Sequence, residues 1–270
     1  MDVTTLRKVP ELVIPMPSRR LTNYDFAGDI RIDGDLPAGV RVRAGGDVRV
    51  FGSVTGGEIH ADGSIEITGS VRVHSRLEAT GDIEFQSGQR SHVRCAGNLR
   101  VAGELAYCET EVGGVAAIGG RVFGGHLVAD RGLHALALGT RTAPRTQVMV
   151  VPEWHRTARI AELDAEIRRS ESRLALIRDA AERVTSPREF NYLHGVETEV
   201  ERAARSLRLE RDALEQATRL SVAPAVVVEQ GVFPGVELQV QEATLAVRSL
   251  LPPGRFFESH GQIMAVREAS

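Results

Sequence analysis

The sequence predicts a mainly β protein: a three-sided parallel β-helix (solenoid) with an inserted antiparallel coiled-coil hairpin of two α-helices. Three observations carry that expectation. Glycine-centred turns recur at a nearly constant interval through the first half of the chain. A glycine-poor stretch then changes the apolar spacing from two to threes and fours. After it, alternating aliphatics return and continue towards the C-terminus.

Glycine marks these borders. Of the 27 glycines, 22 lie between Gly28 and Gly139, and only Gly195 falls between Thr140 and Ser221. A small-polar turn followed by an aliphatic recurs at Gly28-Asp29-Ile30, Gly46-Asp47-Val48, Gly63-Ser64-Ile65, Gly81-Asp82-Ile83 and Gly97-Asn98-Leu99. The spacings are 18, 17, 18 and 16, with weaker echoes at Gly114 and Gly132. Fixed periods of this size indicate stacked repeats. Within each period lie further apolar-x-apolar triplets, such as Val48/Val50, Val54 and Ile59/Ala61, then Ile65/Ile67, Val71/Val73 and Leu77/Ala79. Each reads as a very short strand with alternate side chains facing inward. A short strand cannot bury its apolar face alone, but stacking brings Val48, Ile65, Ile83 and Leu99 into one interior ladder. Gly, Asp and Asn suit corners that need positive φ or a side chain bonding its own backbone. A narrow tube lined by small aliphatics also accounts for an aromatic content of only 4%.

The next segment reads as a helical hairpin. Leu163, Ile167, Leu174, Ile177, Ala181 and Val184 step by threes and fours, with Ser170 the polar member of the series, as in a heptad seam. Thr185-Ser186-Pro187-Arg188-Glu189 breaks the pattern and restarts it: Ser186 with Glu189 forms a capping box, and Pro187 takes the first helical position. The seam is expected to resume through Leu193, Val196, Val200, Ala203, Leu207, Leu214 and Ala217, with Glu210 interrupting it. Arms of roughly 30 residues at 1.5 Å per residue are about 45 Å long. Strand pattern returns at Ala225–Val228, Val236/Leu238/Val240 and Thr244–Val247, separated by turns at Phe233-Pro234-Gly235 and Pro252-Pro253-Gly254. These strands are expected to rejoin the solenoid, so that the hairpin protrudes from it. The domain borders follow: 1–27 an N-terminal extension or cap, 28–152 the β-helix, 153–221 the hairpin, and 222–270 return strands that complete or cap the β-helix.

Composition excludes several classes. Two cysteines do not make a disulfide scaffold. A net charge of −3 gives no support to bulk attraction for nucleic acid. No apolar run is long enough to span a bilayer, and Met1 to Arg20 lacks the apolar region of a signal peptide. A cytoplasmic location is therefore expected.

Taken in chain order, the Gly-Asp corners, the Gly119-Gly120-Arg121-Val122-Phe123-Gly124-Gly125-His126 stretch, Leu138-Gly139-Thr140 before the hairpin and Gly231-Val232-Phe233-Pro234-Gly235-Val236 after it resemble the flagellar assembly protein A family. The resemblance spans about residues 28 to 265. It implies a right-handed parallel β-helix with an inserted coiled coil, in a short member lacking the N-terminal domain of the longer ones. Related bacterial solenoids, the division-site inhibitor's C-terminal domain and the bactofilins, act through self-association and partner binding. The implied role is a non-catalytic scaffold or adaptor, in flagellar assembly or cell-envelope organisation. Its partners are proteins, with a homo-oligomer through the β-helix ends or the arm as a further expectation. The alternatives are a bactofilin-like polymer and a solenoid acyltransferase or carbohydrate-active enzyme.

The residues that carry chemistry elsewhere read as structural here. Asp29, Asp35, Asp47 and Asp82 do not form the Gly-Gly-x-Gly-x-Asp repeats of calcium solenoids. His60, His74, His92, His126 and His134 have no metal-spaced partners, and the strand spacing drifts away from the six-residue rhythm of solenoid acyltransferases. Cys95 sits at an interior position, and Cys108 near a strand end. Gly113-Gly114, Gly119-Gly120 and Gly124-Gly125 precede neither Lys-Ser/Thr nor a helix, so they read as corners rather than a phosphate loop. No residue is assigned as catalytic, cofactor-binding or metal-ligating, and no cofactor is expected. On the hairpin, 13 Arg face 14 acids between Glu153 and Ser221; Ser170 and Glu210 are the seam positions where register or oligomer state would be set.

Overall fold

The computed structural model describes residues 10–15, 23–142, 145–184, 186–216 and 224–267. One coil consists of Val48–Val50, Val54–Thr55 and Glu58–Ala61; the next of Ile65–Ile67, Val71–Arg72 and Arg76–Ala79. Equivalent strands pair in parallel with the coil before and the coil after, so three ladders result. The first joins Asp29–Ile32, Val48–Val50, Ile65–Ile67, Ile83–Phe85 and Leu99–Val101, then enters the long strands Val115–Ala129, Gly132–Leu138 and Ala225–Val232. The second passes through Val54–Thr55, Val71–Arg72 and Gly88–Gln89 into Leu105–Val112. The third runs from Arg41–Ala44 through Glu58–Ala61, Arg76–Ala79 and His92–Cys95, and later includes Thr146–Val150 and Val236–Val240.

This is the parallel solenoid that the repeat predicts. Val48, Ile65, Ile83 and Leu99 occupy one register column and are almost wholly buried, because alternation turns every second residue of each strand inward. The return strands rejoin it, Ala225–Val232 beside Gly132–Leu138 and Val236–Val240 beside Thr146–Val150. Three details were not foreseen. Glu11–Ile14 and Asn23–Phe26 already pair in parallel with Asp29–Ile32 and Arg41–Ala44, so the ladders start before Gly28. At the other end, Ala243–Ala246 and Gly254–Ser259 run antiparallel to the last strands of the third and first ladders. Val73, expected to pair with Val71 inside a strand, is instead exposed with φ 47°. The strand ends at Arg72, and Ser75 donates its hydroxyl to the carbonyl of Arg72 at 2.5 Å where the chain turns.

The chain divides into two compact units, one holding the strands and the other the helical segment. In the latter, α1 (Trp154–Arg183) and α2 (Pro187–Gln216) are each 30 residues long. Pro187 is the first helical residue, and Phe190 N donates to Ser186 O at 3.0 Å, the first backbone bond of α2. Leu163, Ile167 and Leu174 are buried along α1. On α2 the seam is a strict heptad, with Leu193, Val200, Leu207 and Leu214 at one position and Glu197, Ala204 and Arg211 at the other. Ala204 is 1% exposed while Ala203 faces solvent, so Ala203 is corrected to Ala204. Glu210 is likewise outside the seam: it is exposed and holds Arg159 of α1 at 2.8 Å, while Arg211 takes the seam position. Thr185 and Ala217 lie outside the described residues. Ion pairs Arg178–Glu197 (2.7 Å), Arg208–Glu171 (2.6 Å) and Arg211–Asp164 (3.6 Å) link the antiparallel arms. Among the described residues no helix is long and apolar enough to cross a membrane.

Candidate functional site

The corner residues are occupied by the fold itself. Asp29 Oδ1 accepts the amide of Asp47 (2.9 Å), Asp47 Oδ1 that of Ser64 (2.8 Å), Ser64 Oγ that of Asp82 (3.1 Å), Asp82 Oδ1 that of Asn98 (2.7 Å) and Asn98 Oδ1 that of Val115 (3.0 Å). Each side chain thus caps the same corner of the following coil rather than its own backbone. Asp35 and Ser53 repeat the device at a second corner, accepting from the amides of Ser53 (2.6 Å) and Ser70 (3.2 Å). The glycine before each member of the first column follows from this. A Cβ at Gly46, Gly63, Gly81, Gly97 or Gly114 would overlap the side-chain oxygen of the preceding coil. None of the five has positive φ, so close approach and not left-handed backbone demands glycine there.

The outer surface of the third ladder carries a lattice of charged and polar groups. Two registers of side chains face outward, Arg41–Glu58–Arg76–His92–Glu109 and Arg43–His60–Glu78–Arg94–Glu111. Opposite charges one coil apart pair at Arg41–Glu58 (2.9 Å) and Arg94–Glu111 (2.8 Å), and His92 Nδ1 lies 2.8 Å from the Glu109 carboxylate. At the end nearer the N-terminus this surface forms an open cleft of about 690 Å³, lined among others by Tyr24, Arg41, Arg43, Glu58, His60 and Glu78. His60 stands between two carboxylates, Nδ1 at 3.4 Å from Glu78 and Nε2 at 3.5 Å from Asp62. Partial burial pushes the Glu78 carboxyl up, but hydrogen bonding to Arg76 at 2.8 Å and to His60 outweighs it and holds the group below its ordinary range. Glu78 is therefore an ionised partner in a charge lattice, not a proton donor at neutral pH.

The remaining candidates are dispersed. His74 is exposed at a corner, His126 lies farther along the third ladder, and His134 faces Glu229 at 3.4 Å on the first. Among the described residues no three His, Cys, Asp or Glu side chains are grouped to hold a metal ion. Cys95 and Cys108 are both buried and free. Burial, with the nearby charge of Asp82, pushes the Cys95 thiol up to about 12, and burial also raises that of Cys108. A Cβ at Gly113 or Gly119 would strike a carbonyl of the previous coil, whereas Gly124 and Gly125 have φ of 63° and 93°.

Three parallel ladders, interrupted between Thr146–Val150 and Ala225–Val232 by a helical hairpin, are now in place. The family model described as the Flagellar Assembly Protein A beta solenoid domain matches residues 21–263. The chain belongs to this family. Neither the comparison with curated proteins nor that with solved structures gave a match.

In this FapA-family chain, two surfaces stand outside the repeat logic. The hairpin exposes Leu176, Phe190, Tyr192 and Leu209, although its own seam is filled by Leu163, Val200 and Ala204. Ser170 is half-buried in that seam and satisfies its hydroxyl by donating to the Glu166 carbonyl at 3.0 Å. The second surface is a corner of the solenoid at Val73, Arg90 and Tyr107. Sequence reading treats corners as glycine positions, and these three break that rule. Their common spacing of 17 to the glycines at 56 and 124 is the signal that would have found them.

Proposed function

We propose that this chain is a non-catalytic cytoplasmic scaffold or adaptor, acting through protein partners in flagellar assembly or cell-envelope organisation. The observation that carries this reading is the exposed apolar set on the hairpin. Tyr192 is 71% exposed on a two-helix coil whose own seam is already occupied, which is what a docking arm requires. The test is affinity purification of the full chain after cross-linking in the native cell. A chain with residues 156–220 replaced by a short linker, and Phe190→Ser with Tyr192→Ser, should each lose the co-purifying proteins. Retention of the same proteins would remove the arm from the function. Self-association is read by light scattering against concentration, and a monomer at every concentration ends that part. The antiparallel strands Ala243–Ala246 and Gly254–Ser259 occupy ladder edges at the C-terminal end and count against a polymer that grows through both ends.

A second reading rests on His60 beside the cleft, as an acyltransferase or carbohydrate-active site. The Arg76-bound, ionised state of Glu78 counts against it as a general acid. Calorimetric titration with acetyl-coenzyme A and with oligosaccharides, showing no heat, would remove it.

A further inference from the structure

The corner between the second and third ladders turns through left-handed backbone in six successive coils, at residues 39, 56, 73, 90, 107 and 124, each 17 apart, with φ of 80°, 67°, 47°, 49°, 56° and 63°. Glycine, which takes this conformation without strain, stands at 39, 56 and 124. Val73, Arg90 and Tyr107 stand at the other three. An L-residue is disfavoured there, a β-branched one most of all. The interior does not ask for them: Val73 is 49% exposed, Tyr107 42%, and Arg90 is exposed as well. They form an outward ridge along the stack. The Arg90 guanidinium lies 5.8 Å from the centroid of the Tyr107 ring, which meets Phe123 edge-on at 5.9 Å. Arg72 and Arg90 have no carboxylate partner among the described residues. The register column of Arg72, through Thr55, Gln89, Ala106 and Phe123, holds no acid, and Glu109 and Glu104 pair with His92 and Arg121. Strained residues that persist where glycine serves in neighbouring coils mark a surface kept for what it touches.

We propose that this ridge is a docking surface for an acidic segment of another protein, carrying apolar side chains between its carboxylates and lying along the stack. The guanidiniums of Arg72 and Arg90, without a carboxylate partner among the described residues, supply the charge complementarity, and Val73, Tyr107 and Phe123 the apolar contacts. Neighbouring coils are about 4.8 Å apart, so the four residues from Val73 to Phe123 span roughly 15 Å, the reach of about five extended residues. The inference rests on the scaffold reading, but not on the hairpin.

The test uses the full chain and a fluorescent twelve-residue peptide alternating Glu and Leu, with a Lys-for-Glu peptide as control, read by fluorescence anisotropy. The acidic peptide should bind, weaken as salt rises, and lose at least tenfold in affinity on Arg72→Glu with Arg90→Glu; the basic peptide should not bind. Val73→Gly supplies the readout that a structural role would not give: binding should fall while the melting temperature rises by about 2 °C as the backbone relaxes. No binding of the acidic peptide, equal binding to the charge-reversed chain, or a lower melting temperature in Val73→Gly overturns the proposal. Binding that survives every ridge substitution and is lost in Phe190→Ser with Tyr192→Ser also overturns it, while leaving the scaffold reading in place.

Discussion

The solenoid and the hairpin bury their apolar residues under opposite tolerances. In the solenoid an inward side chain away from the ends has a fixed neighbour one coil before and one coil after, as Ile83 has Ile65 and Leu99. The corner column is likewise shaped by the coil preceding it, down to glycines whose Cβ would strike an Asp, Ser or Asn side chain. The hairpin constrains only one stripe. Its seam admits a serine at 170 and an arginine at 211, and a Cβ on Gly195 would meet nothing within 4 Å. A stack of coils transmits local shape from turn to turn, whereas a two-helix coil asks only for a period. The same residue type should therefore carry opposite consequences in the two units.

Gly63→Val is the largest of these. The new side chain would overlap the Asp47 carboxylate and press on the backbone between Gly46 and Asp47 at 2.9–3.0 Å, a contact that no rotamer relieves. Overpacking against backbone, together with a broken corner column, should destabilise the solenoid by about 3 kcal/mol or more and end its cooperative melting. A melting curve within about 0.5 kcal/mol of the parent would mean that coils adjust independently, and the contrast with the hairpin would collapse. Next in size is Asp82→Ala. It strips the acceptor from the Asn98 amide at 2.7 Å and its side-chain amide at 3.3 Å, with an expected loss of about 1–2 kcal/mol by denaturant titration. Asp82→Asn keeps an oxygen in the same place and should recover most of that. If both variants lose equally, the carboxylate acts by charge and not as a link in the column.

These contrasts also show what the sequence makes legible. The interior column of Val48, Ile65, Ile83 and Leu99 follows from a repeat that can be counted, and the α1 seam from a period that can be counted. The Asp and Gly corners are equally visible, but their cause is not. Spacing marks Gly63 and Asp47 as special without revealing that one coil's carboxylate fills the space where the next coil's Cβ would be. Glu11–Ile14 and Asn23–Phe26 were missed because their coil lacks the Gly-Asp punctuation that marks the others. The Ala203 reading failed by one residue because alanines stand at both 203 and 204, and only burial separates Ala204 from its neighbour. The cleft beside His60 could not be read at all, since it joins residues from four coils that only the parallel register aligns.

The smallest effect tests the permissive unit. Gly195 lies within α2, is exposed, and has no positive φ. Glycine in a helix interior is less favourable than alanine by about 0.5–1 kcal/mol, because the unfolded chain gives up more freedom. With no atom near its Cβ position, Gly195→Ala should raise helix stability by about that amount, seen as a later loss of helical circular dichroism on heating. The solenoid has no described glycine of this kind in its corner column, where each is blocked by the preceding coil. A Gly195→Ala chain that melts earlier would mean that a side chain at this point meets something outside the single hairpin. Close approach of a second copy would then be the direct explanation, and glycine would be serving on the arm the same purpose it serves in the column.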